Sequence, residues 1–243
     1  MIALTGHTYI ADTKDASLVP FLLPITADGD VNLYASKHGV DTLTSSQISA
    51  MAQEARGKPL PTEHDALHVE CHCGGVELRI KRADYAQEPE GVRALMSKDD
   101  PHKYLARFCA CRSCRIAVGS SLCPWAYTSL PAITNSSTGQ PITFGRRAVE
   151  EEEGSNEGLQ LKHYQSNEGT WRSFCKKCGA SVFYYMEGSG RDDVVDVAVG
   201  LLRAGSGSLA RGWVRWADGE VSCGEEGTDG EQVEVVKGLG REA

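Results

Sequence analysis

The segments H-V-E-C-H-C-G-G-V-E (68–77) and F-C-K-K-C-G-A-S-V-F (174–183) decide the fold. A C-x-x-C-G unit brings two sulfur atoms onto one turn, and its glycine accepts the positive φ that such a turn often needs. We expect the glycines after Cys73 to bend the chain so that the sulfurs of Cys71 and Cys73 converge. Two such pairs complete a tetrathiolate zinc site. Its ligands are Cys71, Cys73, Cys175 and Cys178.

A second cluster, C-A-C-R-S-C, lies between these two pairs at residues 109–114. Its cysteines are Cys109, Cys111 and Cys114. Three protein ligands with a vacant fourth position is the arrangement that catalytic zinc uses, and we favour this interpretation. The alternative is a second structural site completed by a histidine or by water, and the spacing also permits other partitions of the seven thiolates.

The second cluster indicates thiol chemistry. Three thiolates on zinc carry a net charge of −1, and the neighbouring Arg107, Arg112 and Arg115 are candidates to offset it. The alternative for each of them is an ordinary solvated face. Zinc bound in this way is a weak Lewis acid toward water and suits a fourth, exogenous thiol, which it holds as the nucleophilic thiolate. The expected reaction is thiolate attack on a small electrophile such as an aldehyde, or the reverse carbon–sulfur cleavage.

Two cysteines remain outside the clusters. Cys123 lies in the apolar run S-L-C-P-W-A-Y, and Cys223 lies beside charged loop residues. Neither has a partner at ligand spacing, so we interpret both as spectators and not as ligands.

Composition restricts the class of protein. The chain has 243 residues, nine cysteines and a net charge of −8, which argues against a nucleic-acid-binding surface. No basic stretch followed by an apolar run opens the sequence, and no window approaches a membrane span. We therefore expect a cytoplasmic protein, with the nucleus as the other setting. Thiols stay reduced there, which favours metal ligation over disulfides.

The order of short β-rich runs predicts a mainly β domain. We expect strands at 68–73, 76–81, 104–109, 122–127, 161–164, 182–185 and 194–199, and two N-terminal strands around Thr8–Ile10 and Val31–Tyr34. A helix capped by Ser45 or Ser46 should end at Gly57, and one helical turn should lie within 88–101. The acidic run at 150–158 predicts a solvated loop.

These elements divide the chain into four parts. Residues 1–45 form an N-terminal extension, 46–65 a helix and linker, 66–228 the zinc-binding domain, and 229–243 a flexible tail.

The three clusters together resemble the glutathione-dependent formaldehyde-activating enzyme family, which includes centromere protein V-like proteins. The resemblance rests on C-H-C-G-G-V-E (71–77), R-F-C-A-C-R-S-C-R (107–115) and R-S-F-C-K-K-C-G-A-S-V-F (172–183), in that order, and covers about residues 66–223. The segments D-V-V-D-V-A-V-G-L-L (193–202) and W-V-R-W (213–216) look like fungal-type members.

The resemblance implies a mainly β, Mss4-like fold with two zinc ions. It implies a structural zinc on Cys71, Cys73, Cys175 and Cys178 and a catalytic zinc on Cys109, Cys111 and Cys114. The implied activity is that of a carbon–sulfur lyase, condensing glutathione with formaldehyde to S-(hydroxymethyl)glutathione. The N-terminal T-G-H-T-Y-I-A-D-T-K-D also looks like the end of a preceding, cysteine-free copy, which makes residues 1–45 a docked remnant by hypothesis. The alternative function is a non-catalytic zinc-binding interaction module.

Overall fold

The computed structural model describes residues 6–22, 32–37, 39–62, 64–150, 156–228 and 230–237. The strands are β1 (Gly6–His7), β2 (Asn32–Leu33), β3 (Ala66–Glu70), β4 (Glu77–Lys81), β5 (Tyr104–Cys109), β6 (Cys123–Ser129), β7 (Ile133–Asn135), β8 (Leu161–Asn167), β9 (Thr170–Cys175), β10 (Ser181–Met186), β11 (Val194–Ala198) and β12 (Val214–Ser222). The helices are α1 (Val19–Leu22), α2 (Ser45–Arg56), α3 (Glu90–Arg93), α4 (Arg112–Val118), α5 (Gly145–Glu150) and α6 (Gly230–Lys237).

A seven-stranded sheet with the order β12-β5-β6-β11-β10-β9-β8 dominates the fold. Its neighbours pair antiparallel except β12 and β5, which run parallel. A three-stranded antiparallel sheet, β3-β4-β7, and a short parallel pair, β1-β2, complete the strands. The prediction of a mainly β fold is confirmed.

The main core contains residues from both larger sheets. Along β4 burial alternates strictly, so that Leu78 and Ile80 are buried while their neighbours are exposed. Phe183 on β10 and Val197 on β11 belong to the same buried cluster. Among the described residues, no helix has both the length and the apolar character needed to cross a bilayer.

The predicted helix after the N-terminal extension is confirmed as α2, although its cap is Thr44 and not Ser45 or Ser46. The Gln47 N–H donates to Thr44 Oγ1 at 3.2 Å, and the Thr44 N–H donates to Gln47 Oε1 at 2.8 Å. This reciprocal pair satisfies two donors at the helix start, which neither serine can do from inside the helix. Gly57 ends the helix as predicted.

Most predicted strands are confirmed, with boundaries shifted by a few residues. The predicted helical turn within 88–101 is α3. The first N-terminal strand was misplaced, since β1 ends at His7, before the predicted Thr8–Ile10. The second is Asn32–Leu33, and Val31 lies outside the described residues. Strands β7, β9 and β12 and helices α1, α4 and α5 were not predicted.

The predicted flexible tail is wrong over 230–237, where the chain forms α6. Val233 and Val236, three positions apart on one helix face, are buried in the main core. The Gly- and Glu-rich composition concealed this narrow apolar stripe. Residues 238–243, and 151–155 of the acidic run, lie outside the described residues.

The N-terminal extension contacts the main domain through Asp15. This carboxylate is 3% exposed and accepts hydrogen bonds from the Leu209 N–H at 2.7 Å and from Ser208 Oγ at 2.9 Å. The Ser208 N–H donates in turn to the Thr13 carbonyl at 2.9 Å. The described part of the extension is therefore attached by polar contacts. Its origin as a remnant copy stays a prediction.

Replacing Asp15 by alanine should lower the free energy of unfolding by about 3 kcal/mol, because it leaves the buried Leu209 N–H without an acceptor. Urea denaturation measures the change. Asp12→Ala, at an exposed position nearby, is the control and should stay within about 0.5 kcal/mol of wild type. Equal stability of the two variants would show that the extension does not stabilise the domain through this contact.

Candidate metal centres

The four-cysteine cluster has the dimensions of a tetrahedral metal site. The sulfurs of Cys71, Cys73, Cys175 and Cys178 all lie within 4.8 Å of one another. Cys73 Sγ is 3.6 Å from both Cys71 Sγ and Cys175 Sγ. A tetrahedron with zinc–sulfur bonds of about 2.3 Å has sulfur–sulfur edges of about 3.8 Å, so the donor set fits zinc.

Two tight turns present these sulfurs. In the first, the Gly74 N–H donates to the Cys71 carbonyl at 3.0 Å, and Gly74 has a φ of 68°. In the second, the Gly179 N–H donates to the Cys175 carbonyl at 2.8 Å, and Gly179 has a φ of 77°. These are left-handed conformations that favour glycine. The predicted bend after Cys73 and the predicted turn after Cys178 are both present.

The segment around Gln160 joins the two turns. Its N–H donates to the Gly75 carbonyl at 2.6 Å, and its carbonyl accepts from the Lys176 N–H at 2.7 Å. A Cβ at Gly75 would lie 3.0 Å from the Gln160 side chain and 3.2 Å from Cys73 Sγ. The backbone therefore aligns both turns independently of a metal.

The four ligands differ in exposure. Cys71 and Cys175 are fully buried, Cys73 is half-buried, and Cys178 is exposed. A hydrogen bond from the Ala180 N–H lowers the pKa of the Cys178 thiol to about 6. This ligand is therefore available as a thiolate at the edge of the site.

The three-cysteine cluster lies where β5 passes into α4. The sulfurs of Cys109, Cys111 and Cys114 lie within 4.8 Å of one another. Cys111 caps α4, and its Sγ accepts a hydrogen bond from the Cys114 N–H at 3.3 Å. Cys109 and Cys114 are buried and Cys111 is half-buried. A strand end and a helix start thus bring three sulfurs together within six residues of chain.

Arg172, on β9, is the arginine that contacts a sulfur. Its Nη2 donates to Cys114 Sγ at 3.4 Å and to Ser113 Oγ at 3.0 Å, and its guanidinium lies 4.8 Å from the centre of the Tyr184 ring. Hydrogen bonds from the Cys109 and Cys123 thiols, together with this guanidinium, hold the pKa of the Cys114 thiol below its ordinary value.

The arginines proposed from sequence serve other contacts. Arg107 forms an ion pair with Glu220. Arg115 donates to the carbonyls of Ala110 and Glu226, and the Arg112 N–H donates to the Glu226 carboxylate. Glu220 on β12 and Glu226 after it therefore accept the contacts of the Arg107 side chain, the Arg115 side chain and the Arg112 backbone. Arg172 is far from the three-cysteine cluster in sequence, so the residues around that cluster give no sign of this contact.

Both cysteines predicted to be spectators lie beside the three-cysteine cluster. Cys123 is the register partner of Cys109 across β5 and β6, and its thiol is within hydrogen-bond reach of Cys114. The Cys223 thiol is within hydrogen-bond reach of Cys109, and it also groups with the carboxylates of Glu225 and Glu226. Sequence spacing could not reveal these neighbours, because strand pairing creates them.

A row of polar side chains crosses the seven-stranded sheet next to this cluster. Arg172, Tyr184, Asp196 and Tyr127 are successive register partners on β9, β10, β11 and β6, so they share one face. Asp196 is 5% exposed, and its carboxylate pairs with Arg191 Nη2 at 2.9 Å. Burial raises the pKa of Asp196 to about 7. The only sequence signal for it is a single acid inside the apolar run V-V-D-V-A-V.

No protein-family model matches the sequence, and no curated protein matches it. A crystal structure of a Rhodobacter sphaeroides protein, determined as a structural genomics target, is similar over 62% of this chain and 99% of its own. The sequence identity is 20% and the TM-score is 0.35.

Replacing the exposed Cys178 by serine should remove one bound metal and unfold the domain, since about 10 kcal/mol or more of structural zinc binding is folding free energy. Elemental analysis and thermal unfolding measure both effects. Packing contributes little at an exposed side chain, and Lys177→Ser on the same turn should change neither quantity. A stable Cys178→Ser protein with its full metal content would refute the assignment of this ligand.

Asp196 should make stability depend on pH. Its folded pKa of about 7 lies above the unfolded value of about 3.9, so its contribution to the free energy of unfolding is greatest below pH 4 and is lost as pH rises toward 7. Asp196→Asn lacks this loss, so the variant should gain stability relative to wild type over that interval.

The difference between variant and wild type is measured by urea denaturation at pH 5.5 and pH 8, because acid also weakens thiolate metal sites in both proteins. Exposed Asp193→Asn is the control and should show a constant difference. A constant difference for Asp196→Asn as well would contradict the raised pKa.

Proposed function

We propose that this protein is a zinc-dependent carbon–sulfur lyase that acts on the adduct of a thiol, such as glutathione, with formaldehyde or another small aldehyde. One observation carries the proposal. Three mutually close sulfurs lie apart from the four-cysteine cluster, and a buried guanidinium contacts one of them. A set of three protein ligands beside a fixed positive charge is suited to accept a fourth, anionic ligand from solution.

The four-cysteine cluster has a structural role in this proposal. Four sulfurs at these distances fill all four positions of a tetrahedral metal and leave none for a substrate. Among common metals, all-sulfur ligand sets favour zinc. Such reduced thiols persist in a reducing compartment, which supports the cytoplasm as the proposed location, with the nucleus as the other setting.

Each side chain of the second cluster has a defined task. Cys109, Cys111 and Cys114 hold the metal, which when bound stabilises an incoming thiol as its thiolate. Arg172 offsets the negative charge that accumulates on the sulfurs. In the condensation a carbon–sulfur bond forms, the carbonyl π pair moves to oxygen, and oxygen takes up a proton while the thiol loses one. The lyase direction reverses these changes.

The alternative is a zinc-binding module without catalysis. The positions of Cys123 and Cys223 beside the three-cysteine cluster favour it, because either thiol offers a sulfur from within the chain. A second closed site of this kind would add stability and exclude substrate.

Zinc content and formaldehyde–glutathione exchange, the latter by exchange NMR, separate the two functions. The lyase predicts two zinc ions and accelerated exchange in wild type. Cys114→Ser should stay folded, lose one zinc and lose the acceleration. Ile116→Ala, which changes a 65% exposed side chain on the same helix, is the control and should keep both. Exchange at the uncatalysed rate in zinc-loaded wild type would eliminate the lyase in favour of the module.

A further inference from the structure

A cavity of about 310 Å³ lies between helix α4 and the large sheet. The helix contributes Ala117 to its wall, and strands β6, β8, β9 and β10 contribute most of the rest. Ser181 Oγ, on β10, donates to the Ala117 carbonyl at 3.1 Å. This hydrogen bond holds the helix against the sheet, so the cavity is part of the folded framework.

The cavity adjoins the three-cysteine cluster through both of its walls. On the helix side, Cys114 and Ala117 are three positions apart in α4 and so lie on one helix face. On the sheet side, Trp125 lines the cavity and also packs in one buried cluster with Cys109 and Cys114. A ligand whose sulfur lies at the three cysteines therefore reaches the cavity with the atoms that follow its sulfur.

The wall of the cavity is rich in aromatic rings. Four of its nine lining residues are aromatic, in a chain in which aromatic residues make up 7%. Two of the four are open to a ligand, since Tyr164 is 41% exposed and Phe174 is half-buried. Tyr164 is the register partner of Arg172, and Phe174 follows Arg172 by two residues, so their side chains share one face of the sheet. The two rings pack edge to face with centroids 6.1 Å apart.

The charged and hydroxyl groups of the wall already have partners within the protein. Arg172 Nη2 donates to Cys114 Sγ, so this cation serves the sulfurs. Ser173 Oγ hydrogen-bonds to His163 Nδ1 at 2.8 Å, and Ser181 Oγ donates to α4. The aromatic rings are therefore the groups of this wall best placed to contact a ligand.

We propose that this cavity is a specificity subsite for an aromatic group of the thiol substrate, whose sulfur binds at the three-cysteine cluster. The inference rests on the proposed function and names the class of thiol within it. A protein cavity of about 150 Å³ is enough to hold benzene, so about 310 Å³ accommodates one ring and a short linker to sulfur. Tyr164 and Phe174 offer that ring the edge and face contacts that aromatic groups prefer.

The test compares phenylmethanethiol with 2-mercaptoethanol, two thiols of similar acidity. Absorption of the cobalt-substituted protein reports binding of each thiol at the metal and gives both affinities. We expect phenylmethanethiol to bind at least about tenfold more tightly, which corresponds to about 1.4 kcal/mol. Phenylmethanol carries the ring without the thiol, and in the zinc-loaded protein it should shift the backbone amide NMR signals of Ala117 and Phe174.

Matched variants locate the preference. Ala117→Leu fills the cavity, and Tyr164→Ala removes an accessible ring, so each should reduce the preference severalfold. Val118→Leu is the control, because it enlarges a 39% exposed side chain of the same helix that does not line the cavity. Thermal unfolding checks that all three variants fold.

The failures are distinguishable. Equal affinities of wild type for the two thiols, or no amide shifts with phenylmethanol, would overturn the subsite and leave the lyase intact. An unchanged preference in both Ala117→Leu and Tyr164→Ala, or an equal loss in Val118→Leu, would overturn its assignment to this cavity. No change of the cobalt spectrum with either thiol would overturn the proposed function and the subsite together.

Discussion

Convergence of four sulfurs from two turns about a hundred residues apart is the constraint on which the rest of the structure depends. Cys71 and Cys73 follow β3, while Cys175 ends β9 and Cys178 follows it, so the site joins the small sheet to the large one. Gln160 hydrogen-bonds to both turns and holds them in line. A metal placed here therefore closes a long loop and aligns the two layers whose facing residues make the core.

Alternation of side chains along the strands gives the large sheet one apolar face in the core and one face with polar side chains. On β10 and β11, Phe183 and Val197 enter the main core, while Tyr184 and Asp196 lie on the other face. Strand β9 adds Arg172 to that face and thereby reaches the sulfur of Cys114. Burying an arginine and an aspartate at this depth is costly, and each is stabilised by a specific partner.

Local charge at the second cluster differs from the charge of the whole protein. The net charge is −8, which by itself disfavours an anionic ligand. Buried Arg172 nevertheless presents a positive charge where solvent screening is weak, and it does so next to the candidate metal ligands. The electrostatic potential at this cluster therefore depends more on one nearby buried cation than on the average charge of the surface.

The sequence alone grouped seven cysteines into the two clusters that the structure brings together, and it predicted the mainly β class. It could do so because C-x-C-G-G, C-x-C-x-x-C and C-x-x-C-G spacings set local turn geometry and strands alternate with period two. It also indicated α2 and most strands. Tertiary structure alone decided which side chains surround the second cluster: Arg172, Cys123, Cys223 and Asp196. Strand register brings them there from distant positions, and register depends on packing of the whole sheet. For the same reason α6 escaped prediction, since two valines become a helix face only when a core exists to bury them.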